Sequence, residues 1–359
     1  MAAQPLLAAP VDLAAVRTDV ESILAAFVER KATPTATHQL PAEITEALRG
    51  LLFAGGKRLR PVLCVAGWYA AARHGGDIAP LHKAAASLEM FHTFALIHDD
   101  VMDASATRRG RPAAHEALAA HHAGHPHAPR LGVNGAILLG DLALTWSDEL
   151  LHTAGLTTSQ LAAAQAVVDT MRTELMLGQY LDLAASGRPS PDVEGALRIA
   201  RLKSGKYTVE RPLHLGAALA GADKDLLAVL STFAVPLGEA FQLRDDLLGV
   251  FGDPAVTGKT VLDDLRDGKA TALVALALTR ADRAQQDVLR TLIGTADLDE
   301  DGAARVREVL NVTGARESVE KMIQVRCTQS RQALARSALP AHVTTALSQL
   351  ADIVTVRTS

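Results

Sequence analysis

PLHKAAASLEMFHTFALIHDDVMDA, residues 80–104, is the stretch that decides the fold. Its apolar side chains recur at three- and four-residue steps, the spacing that builds one face of an α-helix. The same period runs through VDLAAVRTDVESILAAFVER (residues 11–30) and SQLAAAQAVVDTMRTELMLGQYLDLAA (residues 159–185). Strict alternation, the mark of a half-buried strand, is hard to find. Breakers separate the helical runs: Gly55–Gly56, Gly75–Gly76, GHPHAP at 124–129 and GRPSP at 187–191. No composition shift marks a linker. The expectation is therefore all-α: one domain over residues 1–359, a single large bundle of roughly ten or more helices around a central cavity.

Composition narrows the class. Hydrophobic residues make up 48% of the 359, ample for a sizeable core, but aromatics only 3%, so alanine and leucine carry the apolar content. Both are strong helix formers. A formal net charge of −4 argues against a nucleic-acid partner, which selects a basic excess. Cys64 and Cys327 lie far apart without a CxxC spacing, which fits a reducing cytoplasm and no disulfide framework. The N-terminus lacks a basic segment before its apolar stretch, so no signal peptide is expected. Charges or glycines interrupt each apolar run before it reaches the length of a transmembrane helix.

The end of the opening stretch carries the chemistry. On a helix over residues 89–103, Asp103 lies one turn beyond Asp99, about 40° around the axis, so the two carboxylates share a face. His92 falls within about 20° of Asp99 on that face. Side chains one turn apart are about 5–6 Å apart at Cβ, close enough to share hard, oxygen-coordinated cations, of which Mg²⁺ fits best. A bare DDxxD is more simply an acidic solvent face. Here the flanking LEMFHTFALI is apolar on most sides, which turns the carboxylates toward an interior cavity. His98–Asp99 also admits an HD-type phosphohydrolase reading, but that chemistry needs further His and Asp ligands and leaves Asp103 and Arg108–Arg109 unused.

A second acidic segment, FQLRDDLLGVFGDPAVTGK (residues 241–259), completes a pattern with GGKRLRP (55–61), DDVMD followed by TRRG (99–103 and 107–110), MLGQYLDL (176–183), KSGKYT (203–208) and DDLRDGK (263–269). In order and spacing these motifs resemble the trans-type isoprenyl diphosphate synthases, or polyprenyl synthetases, from about Gly55 to Lys269. The resemblance implies the isoprenoid-synthase helical fold, a homodimer, and Mg²⁺, about three ions per active site. By position, Asp99 and Asp103 hold two of the ions and Asp245 the third, with Asp100, Asp246 and Gln179 in support. Arg108, Lys203 and Lys259 add positive charge to an allylic diphosphate. Lys57, Arg60, His92 and Arg109 bind the diphosphate of isopentenyl diphosphate, with Ser204 among the substrate contacts. Gln179, Asp182 and Gln242 hold the metal shell and the reacting end. Lys269 sits in a trailing loop one residue longer than the commonest pattern. The second motif departs from DDxxD at its fifth position, Gly249, which loosens the shell of its metal.

The implied chemistry joins an allylic diphosphate to isopentenyl diphosphate through an allylic cation, in a cavity that excludes water. The released diphosphate takes the proton, because no protein base stands out. Phe94, five residues before Asp99 and about 7.5 Å along the helix, forms the cavity floor. Phe91 and Leu88 lie deeper, and Ala95 is small. By the resemblance, an aromatic at Phe94 stops growth near twenty carbons, so geranylgeranyl diphosphate is the expected product and farnesyl or longer chains the alternatives. The competing reading makes Phe94 and Phe91 ordinary core. A class I terpene cyclase shares the first motif, but Asp245–Asp246–Leu–Leu–Gly does not match its second metal motif. A non-catalytic subunit tends to lose aspartates or basic residues, and both sets are present.

Other features carry less. His115, His121, His122, His125 and His127 fit a solvated loop better than a transition-metal site. Asp263–Asp264 is expected to help fold a loop over the substrates. Trp68 and Trp146 read as packing residues. Residues 281–359 show amphipathic helices without recognisable chemistry.

Overall fold

The computed structural model describes residues 11–33, 41–71, 77–253 and 260–355. Along them run α1 (Leu13–Ala32), α2 (Ala42–Leu52), α3 (Leu59–Ala71), α4 (Ala79–Met102), the paired β1 (Thr107–Arg108) and β2 (Arg111–Pro112), α5 (Ala114–His121), α6 (Ala128–His152), α7 (Thr158–Ala185) and α8 (Val193–Ala200). A π-helical segment, Arg201–Glu210, leads into α9 (Arg211–Leu219) and α10 (Lys224–Phe251). The chain closes with α11 (Asp263–Arg266), α12 (Ala272–Arg280), α13 (Arg283–Leu292), α14 (Glu300–Val312), α15 (Ala315–Arg336) and α16 (Ala341–Thr355). The all-α expectation holds, and local signals account for the starts of the long helices. Asp12 accepts from the amides of Ala14 and Ala15 at α1, Thr157 and Gln160 form a reciprocal capping box at α7, and Asp223 accepts from Leu226 at α10.

The opening stretch becomes α4, apolar nearly all round and correspondingly buried from Leu81 to Ile97. It packs among α1, α3, α5, α6 and α9. Trp146 is buried edge-on against Phe27, and Trp68 packs on the same core, as read from sequence. A second apolar cluster joins the end of α10 to α12, α14 and α15. Among the described helices, α10 is long and apolar enough to span a membrane by length and composition, which the sequence reading passed over. Half of that stretch is buried against its neighbours, so it serves as a core helix.

Three glycines bring the site's walls together. A Cβ on Gly178 of α7 would stand 2.5 Å from the Lys203 amide nitrogen, and one on Gly238 of α10 only 2.5 Å from the Gly205 carbonyl oxygen. The wide π turn is thus clamped between α7 and α10 at near backbone contact, which places KSGKYT between the other two motifs.

Candidate active site

The first acidic motif ends α4 as a mixed-charge cluster. The helix stops at Met102 and Asp103 is its C-cap, yet the Asp103 amide still donates to the Asp99 carbonyl at 2.8 Å, so the expected stacking of the two carboxylates is kept. Lys203 Nζ lies 2.7 Å from Asp182 Oδ2 and 3.1 Å from Asp99 Oδ1. Lys269 Nζ lies 2.5 Å from Asp103 Oδ2 and 3.7 Å from Asp182. Gln179 donates to Asp99 Oδ1 at 3.2 Å. Burial alone would raise the Asp99 carboxyl, but Lys203, Arg108 and Lys269 more than offset it and hold the group well below the usual carboxylate range.

Arg108 owes its position to the small hairpin. Arg109 and Gly110 both have positive φ, 54° and 72°, the pattern of a two-residue type I′ turn. This turn aims Arg108 back at α4, where its Nε donates to Asp100 Oδ1 at 2.8 Å and Nη2 reaches Asp99 Oδ2 at 3.1 Å. Asp100 itself is fully buried and is not part of the cavity wall. Behind the wall, its carboxylate clasps Arg108 and so fixes the guanidinium beside Asp99.

The GGKRLRP loop and the middle of α4 build a second, cationic pocket. Lys57, Arg60, His92 and Arg109 all line the same cavity. Arg60 stacks 4.2 Å from the Tyr207 ring centroid and donates to Thr208 Oγ1 at 2.8 Å, and Tyr207 Oη lies 3.2 Å from His92 Nδ1. Arg109 donates to the Gly55 carbonyl. Burial and then the charges of Arg60, Arg109, Arg108 and Arg58 push His92 well below its ordinary value, which keeps the imidazole neutral. So dense a set of cations around a neutral ring gives this part of the cavity a positive potential that attracts anions.

Sequence reasoning missed the support beneath this pocket. Arg58 has φ of 47°, a strained value for a non-glycine residue. It is held there by Glu89 at 3.0 Å, Glu21 at 3.2 Å and the Leu52 carbonyl at 2.7 Å. The available signal was Glu89, a lone acid inside the apolar run LEMF. The C-terminal helices also reach the site: Lys57 Nζ donates to the Ile353 carbonyl of α16 at 3.0 Å.

At the end of α10 the electrostatics reverse. Asp245, Asp246, Gly249 and Gln242 line the cavity together with Asp263, Asp264 and Asp267 from the trailing segment. Burial, with the charges of Asp264, Asp245 and Asp182, pushes Asp246 up to about 8 against the opposing hydrogen bond from Gln242 at 2.7 Å. Asp267 is raised to about 6, by burial and by Asp103, Asp264 and Asp263, despite Lys269. Both shifts come first from burial and then from the mutual repulsion of acids gathered at one end of the cavity. An all-oxygen donor set of this kind fits Mg²⁺.

Between the two acidic ends lies a cavity of about 1010 Å³. Phe94 and Ala95 line it. Phe91 does not: it is buried behind, its ring centroid 5.2 Å from that of Phe94. His98 is a lining residue the sequence reading did not assign to this wall. Its ring centroid is 4.7 Å from Phe94, and Nε2 lies 3.1 Å from the Ile137 carbonyl oxygen of α6. Its ring turns toward α6 while Asp99 turns toward Lys203, which separates the pair an HD-type centre would use. Ser204 and Lys269 line the cavity, whereas Lys259 lies outside the described residues.

The histidine run is not wholly a loop. His115 is buried within α5, and His121 closes that helix, because residues 114–121 continue the helical period. His121 and His122 then stand 4.0 and 3.8 Å from the Glu43 carboxylate of α2.

Comparison with known proteins converges on one family. A solved structure from Corynebacterium glutamicum, a geranylgeranyl pyrophosphate synthase complexed with isoprenyl diphosphate and magnesium, superposes with a TM-score of 0.92 at 38% identity, covering 96% of this chain and 99% of that one. A geranylgeranyl diphosphate synthase of Mycobacterium tuberculosis is 35% identical over 303 residues, 83% of this chain and 79% of its own. A geranylfarnesyl diphosphate synthase of Aeropyrum pernix is 33% identical over 302 residues, 82% of this chain and 88% of its own. The Polyprenyl synthetase family profile matches residues 41–311, the span that holds both acidic motifs, the cationic pocket and the trailing loop, and on this ground the chain belongs to the polyprenyl synthetase family.

Proposed function

We propose that this chain, as one domain, condenses isopentenyl diphosphate with an allylic diphosphate in a Mg²⁺-dependent reaction and releases geranylgeranyl diphosphate as its main product. A prenyl-transferring synthase is the activity of the family. The observation that carries the finer reading is the single cavity in which two acidic motifs, a cationic pocket and an apolar floor meet. Mg²⁺ bound at the acidic ends supplies Lewis-acid stabilisation to the departing diphosphate. Lys203, Lys269 and Arg108, paired with the carboxylates of the first motif, are placed to neutralise the same anion. Lys57, Arg60, Arg109 and neutral His92 orient the second diphosphate, so that its double bond lies over the allylic carbon. Leu96, Leu144 and Leu175 keep water from the cation that forms. The proton leaves to the released diphosphate.

Phe94, backed by Phe91, supports a floor that ends growth near geranylgeranyl length. The exposed apolar faces of α6 and α7 support a homodimer. Leu138 and Tyr180 are 68% and 69% exposed, with Ile137, Leu177 and Leu183 beside them. Tyr180, Met176 and Leu183 also line the cavity, so a partner on this face would complete its wall.

The test is incubation of the purified chain with Mg²⁺, isopentenyl diphosphate and, separately, dimethylallyl, geranyl and farnesyl diphosphates, followed by chain-length analysis. A linear product near twenty carbons is expected, abolished by EDTA. A shorter or longer product keeps the reaction and rejects the Phe94 floor. Hydrocarbon release without elongation rejects the synthase reading in favour of a cyclase.

A further inference from the structure

The second acidic motif lacks a carboxylate at position 249, and the structure has another one standing there. A Cβ built on Gly249 would lie 1.8 Å from Asp264 Oδ2 and 2.8 Å from Asp264 Cγ. A side chain at 249 would have to displace the Asp264 carboxylate, which occupies that space. On α10, position 249 lies one turn beyond Asp245, and residues one turn apart present their side chains on a common face. Asp264 therefore puts an acidic group where a fifth motif residue would have put its own, on the same cavity wall as Asp245 and Asp246.

The neighbouring backbone holds Asp264 in that position. The Lys269 amide donates to its carbonyl at 3.1 Å. Leu265 is buried beside it, and Arg266 is anchored on the Leu298 carbonyl at 3.0 and 2.8 Å. Asp263, the other acid of the pair, accepts from Thr260 Oγ1 at 2.8 Å, whereas the oxygen at Gly249 belongs to Asp264.

We propose that Asp264 is the fifth carboxylate of the second metal motif, contributed from the trailing segment because α10 has glycine at that position. The proposal rests on the Mg²⁺-dependent reading above. Gly249 suits this arrangement, since its missing side chain leaves room for the Asp264 carboxylate. It also ties the trailing segment to the metal end of α10, so that cation binding and placement of Lys269 share one backbone.

Mn²⁺ binding, followed by electron paramagnetic resonance with inorganic diphosphate present, tests this without turnover. The full chain is compared with Asp264→Ala, the isosteric Asp264→Asn, Gly249→Asp, and the double variant Gly249→Asp/Asp264→Ala. Loss of a carboxylate supporting a metal shell typically weakens affinity about 10- to 100-fold. Asp264→Ala and Asp264→Asn should show that loss in the weakest class of bound Mn²⁺. Gly249→Asp alone should lower the thermal midpoint, because two carboxylates meet in one space. The double variant should recover affinity to within about threefold of wild type, because a carboxylate again occupies the site. Wild-type binding by folded Asp264→Asn, or a folded double variant no better than Asp264→Ala, would overturn the assignment. Absence of Mn²⁺ binding by the wild type itself would overturn the metal-dependent reading and this proposal with it.

Discussion

The ends of α4 and α10 face one cavity with the same residue type in opposite electrostatic states. At α4, Asp99 and Asp103 are closed into ion pairs with Lys203, Lys269 and Arg108, and Asp99 is held ionised. At α10, Asp246 is driven toward its protonated form by burial and then by the carboxylates around it. The first end is a set of charges already paired with one another within the chain. The second is a buried group of acids in which one carboxyl is pushed toward its neutral form. A motif's letters therefore do not state its charge balance, which depends on what packs across from it.

The comparison breaks most visibly at Asp99. Asp99→Asn removes the carboxylate that Lys203, Arg108 and Gln179 share, and product formation should fall by at least about a thousandfold with helical content intact. A loss under tenfold, measured by radiolabelled incorporation, would show that the first end is not the catalytic one. Arg108→Lys should cost about a hundredfold, since an ammonium cannot bridge Asp99 and Asp100 as the guanidinium fork does. Unchanged kinetics would demote the hairpin to scaffolding.

Depth along α4 gives the next test. Phe94→Ala opens the floor toward Phe91 and should shift the product to longer chains by one or more five-carbon units, at a cost of a few kcal/mol in stability from the lost ring. An unshifted product profile by chromatography would leave Phe94 as core alone.

The smallest effect concerns pH without metal. The folded chain keeps a proton on Asp246 up to about 8, whereas the unfolded chain releases it near 3.8. Between those values the folded state binds more protons, so this group makes stability fall as pH rises. Asp99 works the other way: its folded value is depressed, so its contribution is present above 3.8 and lost as pH falls below it. In EDTA, Asp246→Asn should flatten the decline in thermal midpoint on the alkaline side, a change of about 2–4 °C for each kcal/mol relieved. A parallel pH profile for wild type and variant would show that Asp246 does not keep its proton in the folded chain.

Much of the site was legible because its chemistry is local. Asp99, Asp103 and His92 share a helix face by spacing alone, and all three line the cavity. The Gly249 departure was visible too, but its remedy was not, since nothing in the spacing brings Asp264 onto α10. The same limit hid Glu89 under Arg58, Ile353 beside Lys57, and the clasp that turns Asp100 away from the cavity. Phe91 read as a second floor residue from its helical position. Only the packing of Tyr207 and Phe94 around it shows that it stands behind the wall.

By itself, the sequence determined an all-helical chain, the two acidic helix ends and the basic motifs that answer them, because helical period and helix-face chemistry depend on neighbours within a turn or two. Tertiary structure decided which carboxylates meet lysine and arginine, which are buried among other acids, and which side chains line the cavity. Those properties depend on dielectric, charge and contact across helices far apart in the chain, and only the packed molecule sets them.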